Sequence, residues 1–271
     1  MGKRILAHSA ILGLLALYML PIAWMLSTAL KPDDELFTEQ IRWVPNRIAW
    51  ENYQHALATF PFWLYLRNTV LIAGLTVVGA LLSCLPPAYA FARMRWRGRN
   101  FWFWVMLSTL MLPPQVTLLP VFLLFRTLGW VDTFLPLIVP AFLGNAFLIF
   151  MLRQFFLTLP QELIDAARLD GCSEWTILWR LVAPMSKPAV ATVALFSFVW
   201  AWTDFMNPLI YLNDASKFTL AVGLQYFLGR HGEQWNLLMA AATVVTAPLV
   251  LLFLLTQRAY VRGITLTGLK G

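Results

Sequence analysis

The residues able to do chemistry gather in two short runs. One is 162–174, where Glu162, Asp165, Asp170 and Glu174 set four carboxylates around Arg168 and Gly171. Carboxylates at this spacing suit pairing with basic groups, within the chain or on another surface. The other run is Arg93-Met94-Arg95-Trp96-Arg97-Gly98-Arg99, four guanidiniums in seven residues. Such a run can bind phosphate; in a membrane chain it serves more often as a topology anchor beside anionic lipid. Little else is arranged for catalysis. His8, His55 and His231 are scattered, without metal-ligand spacing. Cys84 and Cys172 are too few for a disulfide framework. There is no Gly-x-x-x-x-Gly-Lys-Ser/Thr phosphate loop, so the chain does not itself hydrolyse nucleotide. No catalytic residue, no metal site and no cofactor of its own is predicted.

Few elements could position these runs in water. Of 271 residues, 60% are hydrophobic, 15% are aromatic and only 12% are charged. A soluble domain carries about twice that charge. Mean hydropathy is +0.69, and a soluble fold of this length could not cover so much apolar surface. Disorder fails on the same numbers. The net charge of +7 would raise nucleic-acid binding in a soluble protein, but here a membrane competes for it.

The charges cut the chain into spans. Residues 5–30, 68–92, 100–125, 133–152 and 234–257 carry no Asp, Glu, Lys or Arg, and 188–213 carry only Asp204. As helices these reach roughly 30–39 Å, enough for a hydrocarbon core of about 30 Å. Strand alternation is absent, which argues against a β-barrel. The expectation is an all-α integral membrane protein with six transmembrane helices in one domain over 1–271. The first span is too long for the apolar core of a signal peptide and is read as an uncleaved helix. The N-terminus, 93–99, 153–187 and the stretch after 257 hold thirteen Lys and Arg, against seven in 31–67, 126–132 and 214–233. The positive-inside rule makes the first set cytoplasmic, with both termini inside.

Within the spans, prolines recur: Pro86-Pro87, Pro113-Pro114, Pro120, Pro136, Pro140, Pro208 and Pro248. Each removes a backbone hydrogen bond or kinks its helix. The larger polar residues there are Gln115, Asn145, Asp204 and Asn207. Asp204 lies about 24 Å along its helix from Pro188, toward the outer end. An intramembrane acid faces a cavity or a partner, so these four residues are the candidates for lining a translocation path. A hydrogen bond from Asp204 to a neighbouring helix is the competing reading. A lone acid makes a poor proton relay.

The loop 153–187 is locally organised. Thr158-x-x-Gln161 resembles a capping box, and Pro160 suits an early helix position. A short helix over 160–170 then ends at Gly171, where a left-handed turn fits. Ser173 can cap a second helix running to about Val182, which Pro184 stops. Ala166 and Ala167 permit close approach of another surface, and Leu163, Ile164 and Leu169 add apolar grip.

Asp165-Ala166-Ala167-x-x-Asp170-Gly171, with Leu181 and Pro184, resembles the "EAA" loop of binding-protein-dependent ABC importer permeases, with Asp165 where Glu is usual. Leu159-Pro160-Gln161-Glu162-Leu163 also fits. Several matches point to the carbohydrate-uptake branch and to the second permease of maltose-type transporters. They are Arg67-Asn68-Thr69, Leu112-Pro113 with Pro120, Trp202-Thr203-Asp204-Phe205 with Pro208-Leu209, and the tail 260–265 with 268–271. Thr203 stands where Asn is usual. The resemblance spans essentially the whole chain. It implies a type I importer permease of the bacterial inner membrane, pairing with a second, different permease. Two ATPase subunits would bind ATP and Mg, and an extracytoplasmic binding protein would deliver substrate. Asp165, Ala166, Ala167, Asp170, Gly171, Leu181 and Pro184 would form the ATPase-coupling site. The substrate would be a sugar or polyol, with a glycerol-phosphate-like compound as the alternative. An ion-driven secondary transporter is the rival, and it leaves the patterned loop unexplained. No nucleic-acid partner is expected.

Overall fold

In the computed structural model, residues 2–37, 42–228 and 234–267 are described, with side chains of 2–5 and 257–267 left out. Lys3, Arg4, Arg258 and Arg262 from the charge count therefore have no described side chain. Arg230, His231, Lys270 and the end of the tail signature lie outside the described residues. The described chain is helical throughout, without a strand. It forms two compact units, one of Met1–Leu64 with Leu220–Leu251, the other of Tyr65–Thr219 with Leu252–Gly271.

The first unit begins with α1 (Gly2–Ala29) and α2 (Glu51–Thr59). From Leu6 to Leu26 α1 buries almost none of its side chains within the chain. Its end is tied down by polar groups instead. The Lys31 carbonyl accepts from Asn52 Nδ2 at 2.8 Å and from Asn236 Nδ2 at 3.2 Å. Asn236 Nδ2 also donates to Asp33 Oδ1 at 2.6 Å.

The second unit holds the functional loop. α3 (Phe62–Arg93) is one continuous helix although Pro86 and Pro87 sit inside it. α4 (Arg99–Ser108) and α5 (Pro114–Thr127) follow. Then come a single turn, α6 (Leu135–Ile138), a 3₁₀ turn over Val139–Leu143, and α7 (Ala146–Phe156). The loop helices are α8 (Gln161–Leu169), α9 (Glu174–Thr176) and α10 (Ala183–Met185), with a widened π-type turn at Ile177–Val182 between the last two. α11 (Lys187–Thr203) and α12 (Met206–Tyr211) complete this unit's main helices. The first unit resumes with α13 (Leu220–Gly223) and the part of α14 (Trp235–Thr267) up to Leu251.

Among the described residues, four helices are long and apolar enough to cross a membrane, and up to six crossings result if each of two bent pairs is one span. The second bent pair covers 174–203 rather than the expected 188–213; all six expected apolar stretches are largely helical, but three are not straight. Residues 100–125 bend by 96° at Leu112-Pro113. Pro113 is extended (ψ 134°), as the residue before a proline must be. Residues 133–152 are a short helix, a 3₁₀ turn and α7, broken where Pro136 and Pro140 lack N–H donors. Residues 188–213 break at Asp204, where the backbone turns extended (ψ 113°). Apolar length reports a span but not its continuity.

Side chains on α3 repair the break before α7. Ser83 Oγ donates to the Ala141 carbonyl at 2.7 Å, and Thr76 Oγ1 to the Leu137 carbonyl at 3.4 Å. Membrane backbone freed by proline needs such donors. Gly79, on the same face between them, lets the segment approach: an added Cβ there would meet Phe142 Cδ2 at 2.6 Å.

The core of this unit runs along α7, where Leu148, Leu152 and Phe156 repeat every four residues and are almost fully buried. They pack with Cys84, Leu85, Ala88 and Ala92 of α3, and with Ile164, Ile177, Leu178 and Val182 of the loop. The loop is therefore part of the core rather than an appendage.

Candidate functional site

The expected two-helix knob forms, with its tip at 169–172. Gly171 sits at φ +77°, the left-handed turn that ends α8. Ser173 caps the second helix by accepting from the Thr176 N–H at 3.2 Å. Two local readings are corrected. Thr158 caps nothing: its hydroxyl turns back to the Phe155 carbonyl at 2.7 Å, and extended Pro160 occupies the cap position of α8. Pro184 does not stop the second helix, which runs on to Met185. The π-type turn before it spaces the backbone so that a proline, without an N–H, can be accommodated. The helix then turns by 86° into α11.

The knob divides its apolar residues. Ile164 is 1% exposed and faces the core, whereas Leu169 is 90% exposed at the tip. Leu163 and Trp175 are also exposed. Ala166, Asp170 and Gly171 share that open surface. Asp165 Oδ1 accepts from Gln161 Nε2 at 3.0 Å and from Arg168 Nη1 at 3.1 Å, so this acid braces the first helix. The Asp170 carboxylate accepts no hydrogen bond among the described residues. Leu181 packs against the core, and Pro184 is exposed.

A hub that sequence reasoning missed fixes the knob to the bundle. Arg93, at the end of α3, donates through Nε to the Phe156 carbonyl at 2.8 Å and through Nη1 to Gln161 Oε1 at 2.7 Å. It also donates to the Leu159 carbonyl. One guanidinium thus captures free carbonyls at the end of α7 and the start of α8. Arg168 Nε reaches Glu174 Oε1 at 2.8 Å, and Arg168 Nη2 reaches the Arg93 carbonyl at 3.3 Å. Tyr89 donates to Glu174 Oε2. The hydrogen bond to Glu174 holds the Arg168 guanidinium above its ordinary value, and Arg168 in turn holds Glu174 below the usual carboxylate range. The signal available in sequence was one residue type, Arg93 at a helix end, and its four partners are remote in sequence.

At the other end of α11, Asp204 closes a short turn. Its Oδ1 accepts from the Asn207 N–H at 3.1 Å and its Oδ2 from Asn207 Nδ2 at 2.8 Å. Both side chains border a depression of about 600 Å³ with Trp130 and Tyr211. A second depression of about 400 Å³ is lined by Gln115, Thr117, Asn207 and Tyr211. Three of the four path candidates therefore meet around Asn207 and Tyr211. Asn145 lies elsewhere: it caps α7 through the Leu148 N–H at 3.1 Å.

A polar clasp holds this end. Asn68 Nδ2 donates to the Ser216 and Phe218 carbonyls at 2.9 and 3.0 Å. Lys217 Nζ reaches Asp132 Oδ2 at 2.6 Å. Asp132 Oδ1 accepts from the N–H groups of Asn213 and Asp214, both at 3.0 Å.

A bundle of bent apolar helices, a helical knob at one end and a polar-lined depression at the other define a membrane permease. The chain belongs to the binding-protein-dependent transport system inner membrane component family, whose model matches residues 77–266. It is 33% identical over 93% of its length, and 91% of the relative's, to the arabinooligosaccharides transport system permease protein AraQ of Halalkalibacterium halodurans. It is 31% identical over 97% of its length, and 96% of the relative's, to the sn-glycerol-3-phosphate transport system permease protein UgpE of Yersinia pestis. Its fold matches a chain from the crystal structure of a bacterial ABC transporter involved in import of the acidic polysaccharide alginate, with TM-score 0.83 and 25% identity over 95% of this chain and 97% of that one. The protein is an ABC importer permease, a multi-pass, non-catalytic component of the inner membrane.

Proposed function

We propose that this chain forms half of the pathway for a sugar or related polyol, paired with a different permease, and couples to an ATPase through 160–184. The observation that carries the coupling is the knob. Its tip exposes Leu169, Asp170 and Gly171, while its base is locked to the bundle through Arg93, Tyr89 and Glu174. A rigid lever with an apolar, charged tip suits docking in a cleft of a moving subunit. ATP and Mg belong to that partner, and a binding protein delivers substrate from outside. By the positive-inside rule both termini are cytoplasmic, on the knob's side.

The depressions support the substrate class. Gln115, Asn207, Asp204 and Tyr211 offer donors and acceptors beside Trp130, with no Lys or Arg in either lining. Hydroxyl groups pair with such side chains, and sugar faces pack on aromatic rings. The lack of a lining cation disfavours a glycerol-phosphate-like anion, although the relatives named for that substrate keep it as the second reading.

Gly171→Asp tests the coupling. A Cβ at Gly171 meets nothing within 4 Å, so the strain is the left-handed backbone alone, about 1 kcal/mol for Asp. Uptake is expected to fall to background and the ATPase to detach or run without substrate, while the permease stays inserted. Normal uptake and substrate-stimulated ATPase would overturn the coupling. Uptake driven by an ion gradient in vesicles holding this chain alone would instead favour a secondary transporter.

A further inference from the structure

The turn between α3 and α4 carries charge that neither the knob nor the depressions use. Arg95, Arg97 and Arg99 lie within five residues, and no acid occurs between Glu51 and Asp132. Among the described residues, Arg95 and Arg97 form no hydrogen bond or ion pair. Arg99 bonds only neutral groups, the Met94 carbonyl at 3.1 Å and Asn100 Oδ1 at 3.4 Å. Arg153 stands close enough to repel Arg99, and it too donates to a neutral group, the Phe91 carbonyl at 3.2 Å. Among the described residues, the charge here has no counterion.

The turn is also shaped. Arg95, Trp96, Gly98, Arg99, Asn100 and Phe101 line a depression of about 400 Å³. Gly98, at φ +86°, folds the backbone so that Arg95 and Arg99 line the same space. Phe101 and Trp104 follow at helical spacing, 65% and 69% exposed. They make an apolar strip leading along α4, a segment of membrane-spanning composition. A guanidinium-lined depression opening onto an apolar strip matches an amphiphile with an anionic head and an alkyl tail.

We propose that this depression binds the phosphate head of an anionic phospholipid, with an acyl chain along Phe101 and Trp104. Arginine forks pair with phosphate oxygens. Anionic lipid concentrates beside basic juxtamembrane runs. The lipid supplies the counterion that the turn lacks. A zwitterionic head brings its own cation to an arginine pocket and is disfavoured.

Native mass spectrometry of the full chain, purified with its transport partners, tests this. The complex is exchanged into micelles holding equal phosphatidylglycerol and phosphatidylcholine. The wild type is expected to retain phosphatidylglycerol at least fivefold over phosphatidylcholine. Arg95→Gln with Arg99→Gln should remove that preference, and Arg126→Gln, on a different turn, should keep it. Equal retention of the two lipids by the wild type would overturn the proposal, whatever the variants do. So would an undiminished preference in a folded double variant. Inorganic phosphate distinguishes a soluble anion: if it binds the lipid-free complex through Arg95 and Arg99 and phosphatidylglycerol does not displace it, the lipid assignment fails.

Discussion

Asp132 concentrates several contacts in one side chain. It sits at φ 61°, a left-handed conformation that Asp tolerates better than most residues. Its N–H donates to the Tyr211 carbonyl at 2.7 Å. The hydrogen bond from Lys217, then those from the Asp214 and Asn213 N–H groups, lower its pKa to about 2. The same pairing raises Lys217 above its ordinary 10.5. A lowered acid contributes fully above its ordinary value of 3.8 and loses that contribution as pH falls through about 2. A raised base contributes fully below 10.5 and loses it as pH rises further. Protection factors of the Asn213 and Asp214 amides are therefore expected to be highest between these limits and to fall in acid. In Lys217→Met the acid limb should move up toward 3.8; an unmoved limb would show that Lys217 does not hold the clasp. Arg93 makes a different case. Arg93→Ala strips partners from the Phe156 and Leu159 carbonyls, and unmet bonds to a charged donor cost about 1.5–3 kcal/mol each. Thermal unfolding in detergent should drop by several degrees, and ATPase copurification should weaken with it. Arg93→Lys should recover only part, since an ammonium cannot fork between two helices. Neither cluster was legible beforehand, because each joins residues more than sixty positions apart.

At the scale of elements, local signals were readable and distant repairs were not. Gly171 and Ser173 act on their own backbone, so their turn and cap could be read from the residues themselves. Thr158 failed as a cap because Pro160 fixed the entry to α8 two residues later. The break at Leu112-Pro113 falls at a proline pair already read as a kink, whereas the break at Asp204 was invisible to a count of apolar residues. The face Thr76, Gly79, Ser83 carries a recognisable pattern, small and hydroxyl residues on one side of an apolar helix. Its meaning emerges only with the broken segment it supports. Gly79→Val is expected to destabilise this contact by about 1–3 kcal/mol, the usual cost of overpacking. Phe142 is the ring in the way. Adding Phe142→Ala should therefore restore much of the loss, a coupling that a double-mutant cycle in detergent melts would measure. Simple additivity would mean that Gly79 acts elsewhere.

For the whole molecule, membrane character, helical class and family were legible, because composition and one patterned loop carry them. The net charge of +7 lies mostly on one set of loops, a bias that the positive-inside rule reads as orientation. We propose from the thirteen Lys and Arg on one set of loops, against seven on the other, that the knob lies inside the cell. Cys172 checks this directly. It is exposed at the knob's tip, while Cys84 is buried in the core. A membrane-impermeant maleimide should label Cys172 in inverted vesicles stripped of the ATPase and leave it untouched in intact cells; the reverse would invert the topology. The pairing of one open thiol with one shielded thiol reaches further than topology. The native chain already carries a single selective attachment point, one residue beyond the turn where the lever would meet its motor. A dye or spin label placed there needs no cysteine removed and none introduced. A label there would time the coupling step we propose for the knob, in an unaltered sequence.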